Sequence, residues 1–309
     1  MITITWDAFF ELVEIKAKTA SIFPFLLGIL YCLWNLPAAP KDWGSWLIFI
    51  IAAFLFNMAV DANDNYQDYR RALKNGAEKF RLETNVIGTR HLSLSQVGWL
   101  TVVLVAGGAM LGLWLVARTG WPLLWLGIFC FLVGILYAAG PWPIAGLPVG
   151  EFFSGFTMGT MIMLITVYVG VGASQTLTAP TLTGVLLASS PLAFAIGALL
   201  LANNIADWQE DLTLHRHTIV SYLGQRGGLI FWYLLYLGAA GGLMASAALH
   251  VLPLLSLLAL ICVPKVVKNC RAFTALPEKK PSFHLAVQNL AIISLCVTVA
   301  TGLGVLFRF

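Results

Sequence analysis

The sequence predicts an all-α, polytopic membrane protein of nine transmembrane helices, and three observations carry that expectation. Charged residues make up 10% of the chain and nonpolar residues 59%, with a mean hydropathy of +0.85. A soluble domain carries about 25% charged residues. The stretches free of charge have the length of membrane spans, which take roughly 20 apolar residues each. Lysine and arginine then sort to alternate ends of those spans.

The first span is expected over 19–36, in the uncharged stretch between Lys18 and Lys41, and the second over 44–62, built on the uncharged stretch 43–60 between Asp42 and Asp61. The third occupies 95–117 and is closed by Arg118; the fourth, 121–139, ends ahead of Pro141, Pro143 and Pro148. Residues 152–206 are too long for one helix and break at the Gly/Ala/Ser/Thr/Pro-rich 172–181, giving spans at 152–171 and 181–203. Residues 227–264 are also double, turning near His250 into helices at 228–248 and 251–264, and 285–307 completes the set. Ahead of the first span, 3–15 with Trp6, Phe9, Phe10 and Val13 reads either as an interfacial amphipathic helix or as the first turn of helix one. Asp7, Glu11 and Glu14 in that segment do not fit a cleavable signal peptide. The whole is read as a single domain over 1–309, made of two pseudo-repeated halves of about 1–140 and 141–309.

With nine spans and the N-terminus inside, fifteen Lys and Arg fall on the cytoplasmic side, and Lys41, Arg118 and Arg308 fall outside. That asymmetry is the positive-inside pattern of a multi-pass protein of the plasma membrane. It also accounts for the net charge of +4 without a nucleic-acid partner. Cys32, Cys130, Cys262, Cys270 and Cys296 are scattered and odd in number, which suggests neither a disulfide framework nor a zinc site. His91, His250 and His284 have no ligand-spaced partners and read as structural.

The acidic residues are few and uneven. Three lie in the run from Asn57 to Asp68 as Asp61, Asp64 and Asp68; three more follow Asn203 and Asn204 as Asp207, Glu210 and Asp211. Each group sits at the cytoplasmic end of an even-numbered span. At about 100° per residue, Asn57, Asp61, Asp64 and Asp68 share one helix face, as do Asn203, Asp207 and Asp211. A lone Asp at such a place reads as a helix end solvated among lipid headgroups. Two columns with the same Asp-x-x-x-Asp spacing call for cations, because like charges about 4 Å apart repel by roughly 4 kcal/mol at an effective dielectric near 20. Oxygen ligands without His or Cys select a hard ion, Mg²⁺ first. Mg²⁺ keeps waters and shares phosphate oxygens, so the columns suggest a diphosphate held between metal ions. Lys74, Lys79, Arg81 and Arg216 follow the clusters closely enough to hold the remaining oxygens, although each also serves as a positive-inside anchor.

A metal-clamped diphosphate in an apolar cavity implies a reaction. If the ester is allylic, metal stabilises the departing diphosphate, and the C–O bond ionises to a cation that an electron-rich carbon captures. The cavity must exclude water, and aromatic faces stabilise the cation. Tyr66, Tyr137, Trp142, Phe153 and Trp208 lie near the expected mouth, where an interfacial aromatic belt would also put them.

At these residues the chain resembles the UbiA superfamily of intramembrane prenyltransferases over nearly its whole length. The first motif of that family places Asp at +3 and +7 from an acidic or amide residue, as Asp61, Asp64 and Asp68 do; Asp207 and Asp211 after Asn203-Asn204 match the second. The resemblance implies nine helices around a central cavity. It implies that Asp61, Asp64, Asp68, Asp207 and Asp211 bind Mg²⁺-diphosphate, with Asp64, Asp68, Asp207 and Asp211 as the catalytic set. Within the superfamily the chain is most similar to the branch acting on 1,4-dihydroxy-2-naphthoate in menaquinone biosynthesis. Leu12–Ser21 with Pro24-Phe25, Gly140–Ile144, Pro148–Glu151 and His217–Gly224 carry that similarity. The implied reaction joins a polyprenyl chain from polyprenyl diphosphate to the naphthoate, giving demethylmenaquinone, diphosphate and CO₂. Glu151, at the start of the fifth helix, is implied to lie near the acceptor; its simpler role is to complement the helix dipole. There are departures: Asp61 and Asp64 stand where that branch often has Asn, Ala206 where many relatives have Arg, and His215-Arg216 where they have Gly-Lys. The same chemistry on 4-hydroxybenzoate or haem is the neighbouring alternative. A cation-coupled transporter is the competing class, and acids gathered at one membrane face argue against its midplane site.

Overall fold

The computed structural model describes residues 4–213 and 216–309, and its regular structure is helical, with no strand among the described residues. In chain order the principal helices are α1 (Trp6–Leu12), α2 (Thr19–Asn35), α3 (Trp43–Asn75), α4 (Leu94–Thr119) and α5 (Trp121–Ala138). They continue with α6 (Gly150–Val171), α7 (Ala179–Ala206), α8 (Ile219–Ala248), α9 (Val263–Ala275) and α10 (Phe283–Phe307). Seven of them, α3 to α8 and α10, are long and apolar enough to cross a membrane. The other two expected spans are shorter: α2 is an apolar helix of 17 residues, and Leu254–Cys262 winds as 3₁₀ helix into α9. The chain is therefore a multi-pass membrane protein, with helical structure in each expected segment and full spanning length in seven.

Several ends differ from the sequence expectation, for local reasons. α3 runs past residue 62 to Asn75, because no Gly or Pro interrupts it before Gly76, whose φ of +69° stops the helix. Ahead of the expected start at 228, which follows the uncharged stretch after Arg226, helix already runs from Ile219, and it is kinked at Gly224, with φ 67° and ψ 169°. α1 is a helix in its own right: Glu14 has φ 46°, and a 3₁₀ turn over Ile15–Lys18 separates it from α2. Its Trp6 and Phe10 are exposed while Ala8 and Leu12 are buried, so it is amphipathic.

The helices gather into two compact units, one formed by residues up to Lys18 with Leu47–Ala145, the other by Thr19–Trp46 with Gly146–Phe309. In the first, Ala8 and Leu12 of α1 are buried with Ala62 of α3 and with Ile87, Leu92 and Val97. Phe56 of α3 stacks on Phe131 of α5 at 3.8 Å between ring centroids. The apolar side chains that α4 and α5 leave exposed, among them Val102, Val103, Met110 and Leu132, are what a lipid-facing surface requires.

In the second unit α6 lies directly on α7. A Cβ at Gly159 would stand 2.6 Å from Ala193 Cα, and one at Gly155 would stand 2.4 Å from Ala193 O, so only glycine admits this approach. Buried indoles hold neighbouring helices: Trp46 donates to Thr166 O at 2.7 Å and Trp232 to Ala198 O at 2.8 Å. A buried amide network links α8, α9 and α10. Asn269 Nδ2 donates to Asn289 Oδ1 at 2.8 Å, and Asn289 Nδ2 to the Tyr236 hydroxyl at 3.3 Å.

Candidate functional site

The first aspartate motif lies wholly within α3, so its side chains keep the face that the spacing predicts. The Asn57 Oδ1 and Asp61 Oδ2 atoms converge on one cation, the ammonium of Lys18, which donates to both. Lys18 is 3% exposed, a buried lysine held by an amide and a carboxylate. Asp64 lies half-buried on the same face. Asp68 accepts from Arg71 Nη1 at 2.9 Å, and the other guanidinium nitrogen of Arg71 donates to the carbonyl of Ala138, next to Tyr137 at the end of α5. Asn65 Nδ2 reaches the carbonyls of Asp61 at 3.2 Å and Leu12 at 3.3 Å, which ties α1 to the motif helix.

Of the cations expected to serve this motif, Arg81 is bound to Tyr69, donating to its hydroxyl at 3.4 Å and lying 5.7 Å over its ring. Lys74 and Lys79 are exposed at the end of α3 and on the short helix Glu78–Glu83. The groups that meet the carboxylates are instead Lys18 and Arg71.

The second motif straddles a helix end. α7 stops at Ala206, Asp207 adopts φ −96° and ψ 4°, and a new short helix runs over Trp208–Thr213. The backbone departs from helical angles at Asp207, a residue type that favours helix ends, yet the i, i+4 hydrogen bonds from Asp207 N to Asn203 O at 2.9 Å and from Asp211 N to Asp207 O at 2.8 Å carry the turn through it. Asn203 Nδ2 donates to Asp207 Oδ2 at 3.1 Å. The Lys279 ammonium donates to Asn203 Oδ1 and to Asp207 Oδ2, each at 2.5 Å. An Asn-x-x-x-Asp pair gripping one lysine ammonium thus occurs once in each unit.

Asp211 is buried, with Oδ1 at 3.4 Å from Arg216 Nε and Oδ2 without a partner among the described residues. Burial pushes its carboxyl up to about 6, against the pull of Arg216 and with the push of Asp207. His215, the neighbour singled out beside Arg216, lies outside the described residues.

Asn204 turns away from Asn203 and toward α6, where its Nδ2 donates to Glu151 Oε1 at 2.8 Å. Both residues are buried, and among the described residues Glu151 Oε2 and Asn204 Oδ1 meet no hydrogen-bond partner. A π-helical turn, Gly155–Met161, begins four residues after Glu151; such turns are frequent at functional sites.

The donor sets suit a hard divalent ion. In each Asn/Asp pair an amide and a carboxylate oxygen already converge on one cation, and neither pair contains sulfur or imidazole. Among the described residues no three Asp, Glu, His or Cys side chains converge. An ion held there must complete its shell with water or phosphate oxygens, which is the habit of Mg²⁺.

Sequence reasoning missed Lys18, Arg71 and Lys279 as partners of the aspartates. All three were absorbed into the count of inward-facing charges. The one local signal was the i, i+3 spacing of Asp68 and Arg71.

The profile of the UbiA prenyltransferase family matches residues 21–303. The 1,4-dihydroxy-2-naphthoate octaprenyltransferase of Bacillus subtilis (strain 168) is 27% identical over 269 residues, which cover 85% of this chain and 81% of that protein. Among solved structures, the apo form of a UbiA homolog from Aeropyrum pernix K1 matches with a TM-score of 0.67 at 18% identity, over 93% of this chain and 97% of its own. A UbiA homolog from Archaeoglobus fulgidus bound to GPP and Mg²⁺ matches with a TM-score of 0.60 at 11% identity, over 96% of this chain and 99% of its own.

Proposed function

The chain belongs to the UbiA prenyltransferase family, and on that premise we propose that it transfers a polyprenyl group from polyprenyl diphosphate to 1,4-dihydroxy-2-naphthoate, with Mg²⁺. One observation carries the reading: the oxygen clamp made by Asn57 with Asp61, and again by Asn203 with Asp207, is already shaped around a cation. The similarity to a naphthoate octaprenyltransferase supports the choice of acceptor.

In this reading Asp61, Asp64, Asp68, Asp207 and Asp211 hold the metal, and Asn57 and Asn203 add amide oxygens. Bound Mg²⁺ supplies positive charge that stabilises the leaving diphosphate. Lys79, Arg81 and Arg216 neutralise the remaining phosphate oxygens. The allylic C–O bond breaks with its electron pair going to diphosphate. The cation is shielded from water by the apolar helices and stabilised by aromatic faces such as Tyr137. The acceptor ring carbon bearing the carboxylate forms the new C–C bond, and the carboxylate leaves as CO₂, returning its electron pair to the ring. Glu151 and Asn204 offer two buried acceptor oxygens without a donor among the described residues, which suits the hydroxyl of a dihydroxynaphthoate. The lysine and arginine asymmetry supports an N-terminus and an active site on the cytoplasmic side of the plasma membrane.

The test is direct. Purified protein given Mg²⁺, a polyprenyl diphosphate and the naphthoate should release diphosphate and CO₂ and form demethylmenaquinol, the hydroquinone, which is recovered as demethylmenaquinone after oxidation in air. Preference for 4-hydroxybenzoate in a mixed-acceptor assay would move the protein to another substrate. Absence of any prenylated product at every chain length would sink the assignment.

A further inference from the structure

We propose that Lys18 and Lys279 are place-holders: in the metal-free protein each ammonium occupies the cation seat of one Asn-x-x-x-Asp pair and must leave it before a metal ion can enter. The inference rests on the reading that these pairs hold Mg²⁺, and it concerns how the ion gets in.

The two contacts are alike in chemistry and unrelated in origin. Lys18 ends the turn between α1 and α2, while Lys279 belongs to the loop between α9 and α10. They lie 43 residues before Asp61 and 72 residues after Asp207, so no local repeat of sequence generates them. In each case the ammonium takes both the amide and the carboxylate oxygen of an i, i+4 pair. That is the acceptor set a hard cation would take, and one seat cannot hold both. Without a counter-ion, Asp61 would share its helix face with Asp64 and Asp68 at a repulsive separation. A lysine suits the task because its charge is compact and rides on a flexible four-carbon stem, so it can swing aside toward phosphate oxygens. Asp68 and Asp211, by contrast, are met by the guanidinium groups of Arg71 and Arg216.

The loop that carries Lys279 is braced. Ser282 Oγ donates to the carbonyl of Leu276 and to that of Glu278 at 3.1 Å, and the Lys279 ammonium lies 5.1 Å from the Phe283 ring centre. The side chain is half-exposed and the Lys18 side chain is buried, so exchange at the second motif is the easier of the two.

The experiment is a titration of Mn²⁺ into the full-length protein in detergent micelles, followed by electron paramagnetic resonance, without prenyl diphosphate. Removing a competitor from a partly exposed pair should tighten Mn²⁺ binding by about threefold to fivefold in K279M. K280M removes the same charge one residue away and should leave affinity unchanged. In the wild-type protein, acetylation of Lys279 by an amine-reactive ester, read by mass spectrometry, should speed up when Mn²⁺ is added. This second readout needs no variant, and the same peptide map reports Lys18. K279M that binds Mn²⁺ no more tightly than wild type, or a Lys279 acetylation rate indifferent to Mn²⁺, overturns the place-holder role. If D207N and D61N lose Mn²⁺ at the same time, the metal assignment stands without it. If D61N and D207N bind Mn²⁺ as wild type does, the metal assignment itself fails.

Discussion

The approach of α6 to α7 sets where Glu151 meets Asn204, and one methyl group tests it. In G159A the new Cβ would stand 2.6 Å from Ala193 Cα and 2.9 Å from Ala193 N, both backbone atoms that no rotamer change can move. An ordinary contact begins near 3.4 Å, so the helices must part by about 0.8 Å at this point. Overpacking of this kind destabilises by about 1–3 kcal/mol. At roughly 2 °C per kcal/mol for a chain of this size, thermal unfolding should come about 2–6 °C earlier. The hydrogen bond from Asn204 to Glu151, now 2.8 Å, sits about two turns from Gly159 along α6 and about three from Ala193 along α7, and would lengthen as these helices part. A misplacement of about 1 Å at a substrate-positioning group can reduce turnover about 100-fold. Scanning fluorimetry in detergent and a prenyl-transfer assay read the two effects. G112A, at a glycine with nothing within 4 Å of the added Cβ, is the control expected to change neither. A G159A protein with wild-type melting and wild-type turnover would refute the argument that this contact positions the site.

Other expectations follow from individual side chains. D64N and D207N should remain folded and inserted yet lose turnover by about 100-fold or more, because each removes charge from the proposed metal set; full activity in both would contradict the assignment. E151Q keeps an oxygen for Asn204 and removes the charge, so kcat/KM for the aromatic acceptor should fall about 100-fold while KM for the prenyl diphosphate holds. A change confined to the diphosphate would reassign the residue. Asp211 is raised from 3.8 to about 6, so the folded protein holds that proton more tightly than the unfolded chain does. Its contribution to stability is complete below about pH 4 and is lost as pH rises through about 6, a swing of about 3 kcal/mol. Without metal, D211N should therefore gain in melting temperature over wild type between pH 4.5 and 7.5. A difference that stays flat with pH would show that burial does not govern this carboxyl.

The spans and the motifs are legible along the chain. An uncharged stretch of some twenty residues leaves few alternatives to a helix, since its backbone polar groups must be satisfied internally in lipid. The i, i+4 spacing placed Asn57 with Asp61 and Asn203 with Asp207 before any fold was known. Helix ends were less legible where one residue decided them: α3 runs on for lack of a Gly or Pro until Gly76, and α7 ends at Asp207, where the backbone angles change while the i, i+4 hydrogen bonds continue. Which cations answer the aspartates is a matter of packing. Lys79 and Arg81 follow the first motif in the chain, yet Lys18 holds it, and Lys279 rather than the nearer Arg216 holds Asp207. The reason is physical. Hydrophobicity and helical periodicity act between near neighbours and can be read along the chain. Charge partners are fixed by which helices pack together, and that depends on distant contacts such as Gly159 against Ala193, to which a single sequence gives no local sign.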